Sequence, residues 1–257
     1  MSAMRLCPLG SGSSGNSLFL SAANTCLLID AGLPAQVIAQ GLVTLNVAVS
    51  DIQGILITHE HADHVRGAAI LAKKYGLPIY ANHGTADRLA LMLPEGLTIR
   101  TLASEGTQFG PLRVRHFPVP HDAVEPAGFL FEHNGARVAI ATDLGYVTRE
   151  VKKALSGCQV IILEANHDEA MLANGPYPEY LKERIRSRHG HLSNRQSARA
   201  LEEACHDDLR HVVLAHLSRE NNDPFLARDT VAAAFSGNGP LVHLTGHYEI
   251  GPFLEVS

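Results

Sequence analysis

Within six residues, His59-Glu60-His61-Ala62-Asp63-His64, the chain carries three imidazoles and a carboxylate beside a second acid. The cluster directly follows the apolar run Gly54-Ile-Leu-Ile-Thr58. Neutral imidazole is the commonest transition-metal ligand, and a carboxylate is a natural partner for it. In a tight loop after a strand, positions i, i+2, i+4 and i+5 can turn toward two neighbouring cations. One would take His59 and His61, the other Asp63 and His64. Nitrogen and oxygen donors without a thiolate suit zinc, and equally manganese or iron. Two divalent ions about 3.5–4 Å apart lower the pKa of bound water toward about 7 and clamp an in-line displacement. Fifteen histidines in 257 residues is a high count and directs attention to metal chemistry. Others, such as His83, His116, His133, His206, His211, His243 and His247, read most simply as surface or core residues.

The elements that must position these groups follow from the apolar pattern. Four apolar runs each end in a residue able to do chemistry: Gly54–Thr58 in His59, Val138–Thr142 in Asp143, Val160–Leu163 in Glu164 and Val212–Ala215 in His216. Strand ends are rigid supports, and the loops beyond them are free to carry function. Strands are also expected at Cys26–Ile29, Pro78–Tyr80, Leu112–Pro118, Gly128–Glu132 and Leu241–Leu244. The fuller bounds of the ligand-bearing strands are Arg137–Ala141, Gln159–Leu163 and His211–Ala215. Helices are expected at Pro34–Thr44, Val65–Tyr75, Thr85–Leu93, Thr148–Leu155, Tyr180–Arg188, Asn194–Cys205 and Pro224–Phe235. Asn134-Gly135 between two strands is a strong hairpin signal. Interleaved strands and helices imply a layered α/β fold with mixed sheets, here as one domain over residues 1–257. No internal repeat or long linker is evident.

Composition narrows the class further. With 46% hydrophobic residues the chain can bury a sizeable core. No apolar run reaches the roughly 20 residues that span a bilayer, so no membrane association is expected. Met1 to Gly10 has neither a long apolar stretch nor a small-residue cleavage site, which argues against a secretory leader. Cys7, Cys26, Cys158 and Cys205 lie far apart and form no C-x-x-C, as expected of reduced thiols in a cytoplasmic protein. The net charge of −5 does not by itself point to nucleic acid. Yet Tyr180–Arg199 holds Lys182, Arg184, Arg186, Arg188, Arg195 and Arg199 against one acid, Glu183. A basic stripe on an acidic body admits a polyanion at one place, although a solvated helix face reads the same way. With no Trp and 5% aromatics, a stacking platform for single strands is not indicated.

The pattern His-x-His-x-Asp-His after an apolar strand resembles the signature of the metallo-β-lactamase superfamily, and the resemblance extends over nearly the whole chain. Leu27-Leu-Ile-Asp30-Ala-Gly32 is similar to its early strand-and-Asp motif. By that resemblance, His121 in Val-Pro-His-Asp completes a first metal site with His59 and His61. His216 in Leu-Ala-His-Leu-Ser completes a second with Asp63 and His64, and Asp143 in Ala-Thr-Asp-Leu-Gly bridges the two. The implied fold is a four-layered αβ/βα sandwich with the metals at one edge. Gly190-His-Leu-Ser-Asn-Arg-Gln-Ser-Ala is similar to a stretch of ribonuclease Z in which a His outside the metal sphere pairs with a Glu. The resemblance casts His191 as proton donor to a leaving oxygen and Glu164 as the group that orients and charges it.

Several segments together resemble the YycJ (WalJ) group of bacterial exonucleases. They are Gly10-Ser-Gly-Ser-Ser-Gly-Asn16-Ser17, Pro120–Gly128, Glu164-Ala-Asn-His-Asp168, Tyr177–Ile185, Gly190–Asn194 and His216–Pro224. That resemblance implies a two-metal phosphodiesterase acting on DNA: a double-stranded DNA 5′→3′ exonuclease linked to mismatch repair, using two Zn²⁺ or Mn²⁺. His191, Glu164 and Asp63 form its expected catalytic set. Ser14 and Asn16 in the Gly/Ser loop, His167, and the basic Arg184, Arg188 and Arg195 are the expected substrate contacts. Two other readings fit the residues less well. A hydrolase of small esters, thioesters, lactones or cyclic phosphodiesters has no need of the basic stripe, and a non-catalytic DNA-binding protein has no need of a complete ligand set.

Overall fold

The structure, a computed structural model, describes residues 2–235, 237 and 239–257. Two seven-stranded mixed sheets lie face to face. The first takes β1 (Met4–Gly10), β2 (Ser17–Ala22), β3 (Thr25–Ile29), β4 (Ile52–Leu56), β5 (Ile79–Ala81) and β6 (Ile99–Thr101) in sequential order. The second takes β7 (Thr107–Phe109), β8 (Leu112–Pro118), β9 (Ala127–His133), β10 (Ala136–Ala141), β11 (Val160–Glu164), β12 (His211–Ala215) and β13 (Leu241–Leu244). The last strand, β14 (Leu254–Val256), leaves the second half of the chain and pairs antiparallel with β1 in the first sheet. In each sheet an antiparallel meander gives way to a parallel ladder, β3 to β6 and β10 to β13.

Helices cross over between the parallel strands and cover the outer faces. They are α1 (Ala35–Thr44), α2 (Ala62–Val65), α3 (Ala68–Tyr75) and α4 (His83–Met92) in the first half. The second half has α5 (Arg149–Leu155), α6 (Glu169–Asn174), α7 (Glu179–Arg186), α8 (Asn194–Ala204) and α9 (Pro224–Ala232). Three apolar clusters fill the spaces between layers. Leu27, Ile29, Phe129, Phe131, Val138 and Ile162 pack between the sheets. Leu28 and Ile55 pack outward on Ile38, Leu42, Leu71 and Leu89. Ile161 and Leu163 pack outward on Val151, Leu155, Leu201 and Val231. Neighbouring residues of β3 and β11 thus enter opposite layers, and a strand buried on both faces reads as a continuous apolar run. The arrangement is the four-layered αβ/βα sandwich expected.

Local chemistry sets the boundaries. Asn134 and Gly135 both have positive φ, 50° and 87°, as a two-residue type I′ turn requires between β9 and β10. Thr148 caps α5 by accepting from the Val151 amide, and Ser193 forms a capping box with Gln196 on α8. The helix expected over Val65–Tyr75 is divided: α2 begins inside the histidine cluster, and α3 starts after Gly67, whose amide donates to Ala31 O at 2.7 Å. β1, β2, β6, β7, β14 and α6 lie outside the sequence-based assignment. Pro8 and a register shift between Pro8 and Gly10 disguise β1, which is nonetheless a buried strand of the first sheet. Met1, where a leader would begin, lies outside the described residues. Among the described residues no helix is long and apolar enough to cross a membrane.

Candidate metal centre

The strand ends converge at one edge of the sandwich. Asp30 just past β3, Asp143 just past β10 and His216 just past β12 all have left-handed backbones, with φ of 58°, 58° and 55°. This conformation is strained for side chains other than glycine and occurs where a strand-end residue must be turned sharply. The histidine loop after β4 seats directly on the loop after β3. A Cβ at Gly32 would collide with the Asp63 carbonyl oxygen, so only glycine permits the approach. Backbone bonds from Asn16 N to Asp63 O and from Ala31 N to His64 O, both 2.8 Å, lock the seat.

All seven expected metal ligands come together there. The donor atoms of His59, His61 and His121 lie within 4.8 Å of one another, as do those of Asp63, His64, Asp143 and His216. His59 Nε2 faces His61 Nδ1 at 3.1 Å. His216 Nε2 is 3.3 Å from Asp63 Oδ2 and 3.4 Å from Asp143 Oδ1. Asp143 reaches both groups, with Oδ2 3.3 Å from His64 Nε2 and Oδ1 4.0 Å from His121 Nε2.

The opposite nitrogen of four of these rings has a neighbour that fixes its orientation. His59 Nδ1 meets Thr58 Oγ1 at 3.0 Å, and His64 Nδ1 meets Asp30 Oδ2 at 2.7 Å. His121 Nδ1 meets Gly190 O at 3.3 Å, and His216 Nδ1 meets Asn166 Nδ2 at 3.3 Å. Such outer partners orient metal-binding imidazoles. Asp30 also accepts from the Thr58 amide at 2.9 Å. It is a supporting residue that sequence reading placed in a motif but gave no task.

The donor set fits a pair of divalent cations. Asp143 Oδ2 is buried and has no hydrogen-bond partner among the described residues, an arrangement that invites a cation. Without one, the charges couple strongly. Burial would raise the Asp143 pKa, but His216 and His64 outweigh it and hold the carboxyl well below its usual range. Burial would lower His216, but Asp143 and Asp63 push it up to about 9. His64 is likewise held high against burial by Asp30 and Asp143. Burial, reinforced by His64, drives His59 well below its usual value, and burial lowers His121.

Glu164 and His191 stand at the margin of the cluster. Glu164 Oε1 is 3.0 Å from His191 Nδ1, though off the axis of a hydrogen bond. Burial lowers the His191 pKa, and Glu164 more than restores it, leaving it raised. Asp143, Glu164, His191 and His216 also approach closely enough to hold an ion. Against that use, Glu164 is fully buried, and its oxygens already accept from the Leu192 and Leu144 amides at 3.0 and 3.2 Å.

A cavity of about 280 Å³ opens over the centre. Its walls include His61, Asp63, His121, Asp143, His191 and His216, with Arg184 at one side. Among the described residues, Arg184 is the only arginine of the basic stripe that lines it. Arg188 lies over the Tyr146 ring at 4.4 Å, and Arg195 sits 3.9 Å from Glu169, away from the cavity. Ser13 lines it rather than Ser14, whose carbonyl accepts from Arg66. Asn16 is buried beneath the histidine loop, with Nδ2 3.4 Å from Asp63 Oδ2. His167 is buried outside the cavity lining, and burial pushes its pKa down to about 4. Asn166 and Ser218 line the cavity without having been singled out in sequence; both flank residues that were, His167 and His216.

Known proteins complete the picture. A family model described as "Beta-lactamase superfamily domain" matches residues 25–217. The exodeoxyribonuclease YycJ of Bacillus anthracis is 38% identical over 234 residues, covering 90% of this chain and 89% of the relative. The chain belongs to this family. The exodeoxyribonuclease WalJ of Streptococcus pneumoniae is also 38% identical, over 87% of this chain and 85% of its own. Among solved structures, the metallo-β-lactamase-fold protein YhfI of Bacillus subtilis matches with a TM-score of 0.77 at 18% identity, over 99% of this chain and 100% of that one, a likeness of fold alone. Family membership and the His/Asp cluster together make the protein a metal-dependent hydrolase.

Proposed function

We propose that this protein is an exonuclease that degrades double-stranded DNA from the 5′ end and serves DNA repair, mismatch repair included. One observation carries the reading: His191, backed by the buried Glu164, borders the His/Asp cluster in the same cavity as Arg184. Cleaving a phosphodiester expels a poor alkoxide leaving group from an anionic centre. It therefore calls for a proton donor and a counter-charge beside the metals. A thioester needs neither, since it expels a stable thiolate from a neutral carbonyl; a lactone, although it expels an alkoxide, has no anionic centre to neutralise. The exodeoxyribonuclease relatives support DNA as the substrate. Duplex preference, polarity and the repair role follow the family resemblance.

The residues divide the work. His59, His61 and His121 would hold one cation, Asp63, His64 and His216 the other, and Asp143 both. When bound, two divalent ions, zinc or manganese, supply water activation and charge neutralisation. Arg184 is fixed by Asp122, whose Oδ2 accepts from Nη2 at 2.5 Å and Nε at 2.9 Å. Its remaining N–H groups are available to a phosphate oxygen. Glu164 turns His191 Nδ1 toward itself and favours the imidazolium, leaving Nε2 to protonate the departing 3′ oxygen. Four free thiols, two of them deeply buried, support a reducing cytoplasm.

The test is digestion of linear duplex DNA, labelled at either the 5′ or the 3′ end, with Mn²⁺ or Zn²⁺ beside His64→Ala. Mononucleotide release from the 5′ end, lost in the variant, is the expected result. Intact DNA with both metals, alongside rapid cleavage of small esters, would overturn it.

A further inference from the structure

Helix α7 has three apolar residues, Tyr180, Leu181 and Ile185. Tyr180 is exposed, whereas Leu181 and Ile185, one turn apart, share a face and line the cavity together with Tyr177. Among the described residues, none of the three lining side chains belongs to any of the apolar clusters between the layers. The helix is held by polar contacts instead. Lys182 Nζ donates to Ala173 O at 2.8 Å, Arg184 pairs with Asp122, and the Ile185 carbonyl accepts from the His191 amide at 2.9 Å. An apolar stripe that lines a cavity and joins none of the core clusters gains when a ligand covers it.

The cavity indicates which ligand. It combines the His/Asp floor, Arg184 and His191 with this apolar wall. Its volume of about 280 Å³ is near the lower bound of roughly 300 Å³ for small-molecule pockets. That is room for one nucleotide but not for a duplex. Through the Ile185–His191 backbone bond the apolar wall is continuous with the residue assigned to protonate the leaving oxygen.

Resting on the exonuclease reading above, we propose that Tyr177, Leu181 and Ile185 form the subsite for the sugar and base of the terminal nucleotide, the one whose 3′ oxygen departs. Arg184 and the metal ligands flank its phosphate side. The subsite holds one nucleoside by apolar contact and reads no base edge. It therefore favours a chain end and tolerates any base.

The experiment compares two duplexes that differ only in the 5′-terminal residue, thymidine in one and an abasic tetrahydrofuran analogue in the other. First-turnover kcat/KM is measured for the wild type and for Leu181→Ser, Ile185→Ser and the double variant. Calorimetric binding of thymidine 5′-monophosphate and of deoxyribose 5-phosphate is measured on the same proteins. The wild type should prefer the terminal thymidine by about tenfold or more, and the double variant should lose most of that ratio in both cleavage and binding. Because neither residue belongs to a core cluster, the melting temperature should stay within a few degrees of wild type. A thymidine-to-abasic ratio that the variants leave unaltered, with both duplexes cleaved, would overturn the subsite alone. No cleavage of either duplex by the wild type would overturn the exonuclease reading, and the subsite with it.

Discussion

In the first half of the chain the meander β1–β3 passes into the parallel ladder β3–β6, and in the second the meander β7–β10 passes into the ladder β10–β13. At the same point of each half, just past the strand that joins meander to ladder, an aspartate adopts a left-handed backbone with φ of 58°. A glycine follows two residues later, Gly32 and Gly145. The two aspartates have opposite fates. Asp30 lies beneath the histidine loop after β4, accepting from Thr58 and facing His64 Nδ1 at 2.7 Å. Asp143 remains in the cavity wall with Oδ2 unpartnered among the described residues. One backbone device thus yields a carboxylate packed beneath a loop or one left facing the cavity, according to the loop that follows the next strand. In the first half that loop folds back over the aspartate. In the second it follows Glu164, the last residue of β11, whose oxygens are taken up by the Leu144 and Leu192 amides and whose partner is His191.

Substitutions can break this contrast. Asp143→Ala should have the largest effect, removing the residue that reaches both ligand groups. Turnover should fall to background, and elemental analysis should find at least one metal equivalent lost. Full metal content in that variant would show that Asp143 is no ligand. His191→Ala should lower turnover by about 10²–10⁴-fold while metal content holds. Loss of metal there would instead make His191 a ligand, using the third cluster of donors. Asp30→Asn should cost about 10–100-fold in metal affinity or turnover, as expected of a residue that orients a ligand from outside. An effect as severe as that of Asp143→Ala would erase the distinction between the two aspartates.

The smallest effect is one of pH. Burial holds His167 neutral down to about 4, whereas in the unfolded chain it protonates near 6.5. Between those values the unfolded state binds more protons, so stability should decline as pH falls from about 6.5 to 4. His167→Asn should flatten that slope in denaturant titrations of metal-free protein.

The ligand cluster was legible because chelation concentrates rare residue types at short spacing, and no ordinary surface loop needs three imidazoles in six residues. The strands beneath it were legible because burial on both faces leaves long apolar runs. The likeness between the halves was not. Such strands accept many aliphatic combinations, so a shared topology leaves no residue-level repeat. Asp30 was seen only within a motif, because its task depends on His64, 34 residues away. The basic stripe was visible as charge, but it is divided between two helices: Arg184 on α7 lines the cavity and Arg195 on α8 sits beside Glu169, a division that charge counting cannot register. Asn16 belongs to the same class, read as a phosphate contact and found beneath Asp63.

The pairing of β14 with β1 sets Met4 opposite Val256, so the start of β1 and the end of β14 meet at the edge of the sandwich away from the metal centre. Tension applied between those ends would load this ladder from its open end, and its hydrogen bonds would break in succession rather than all at once. The fold would therefore yield to pulling as a zipper does, at low force. The centre beyond Gly10 would feel the strain only after β14 had peeled away.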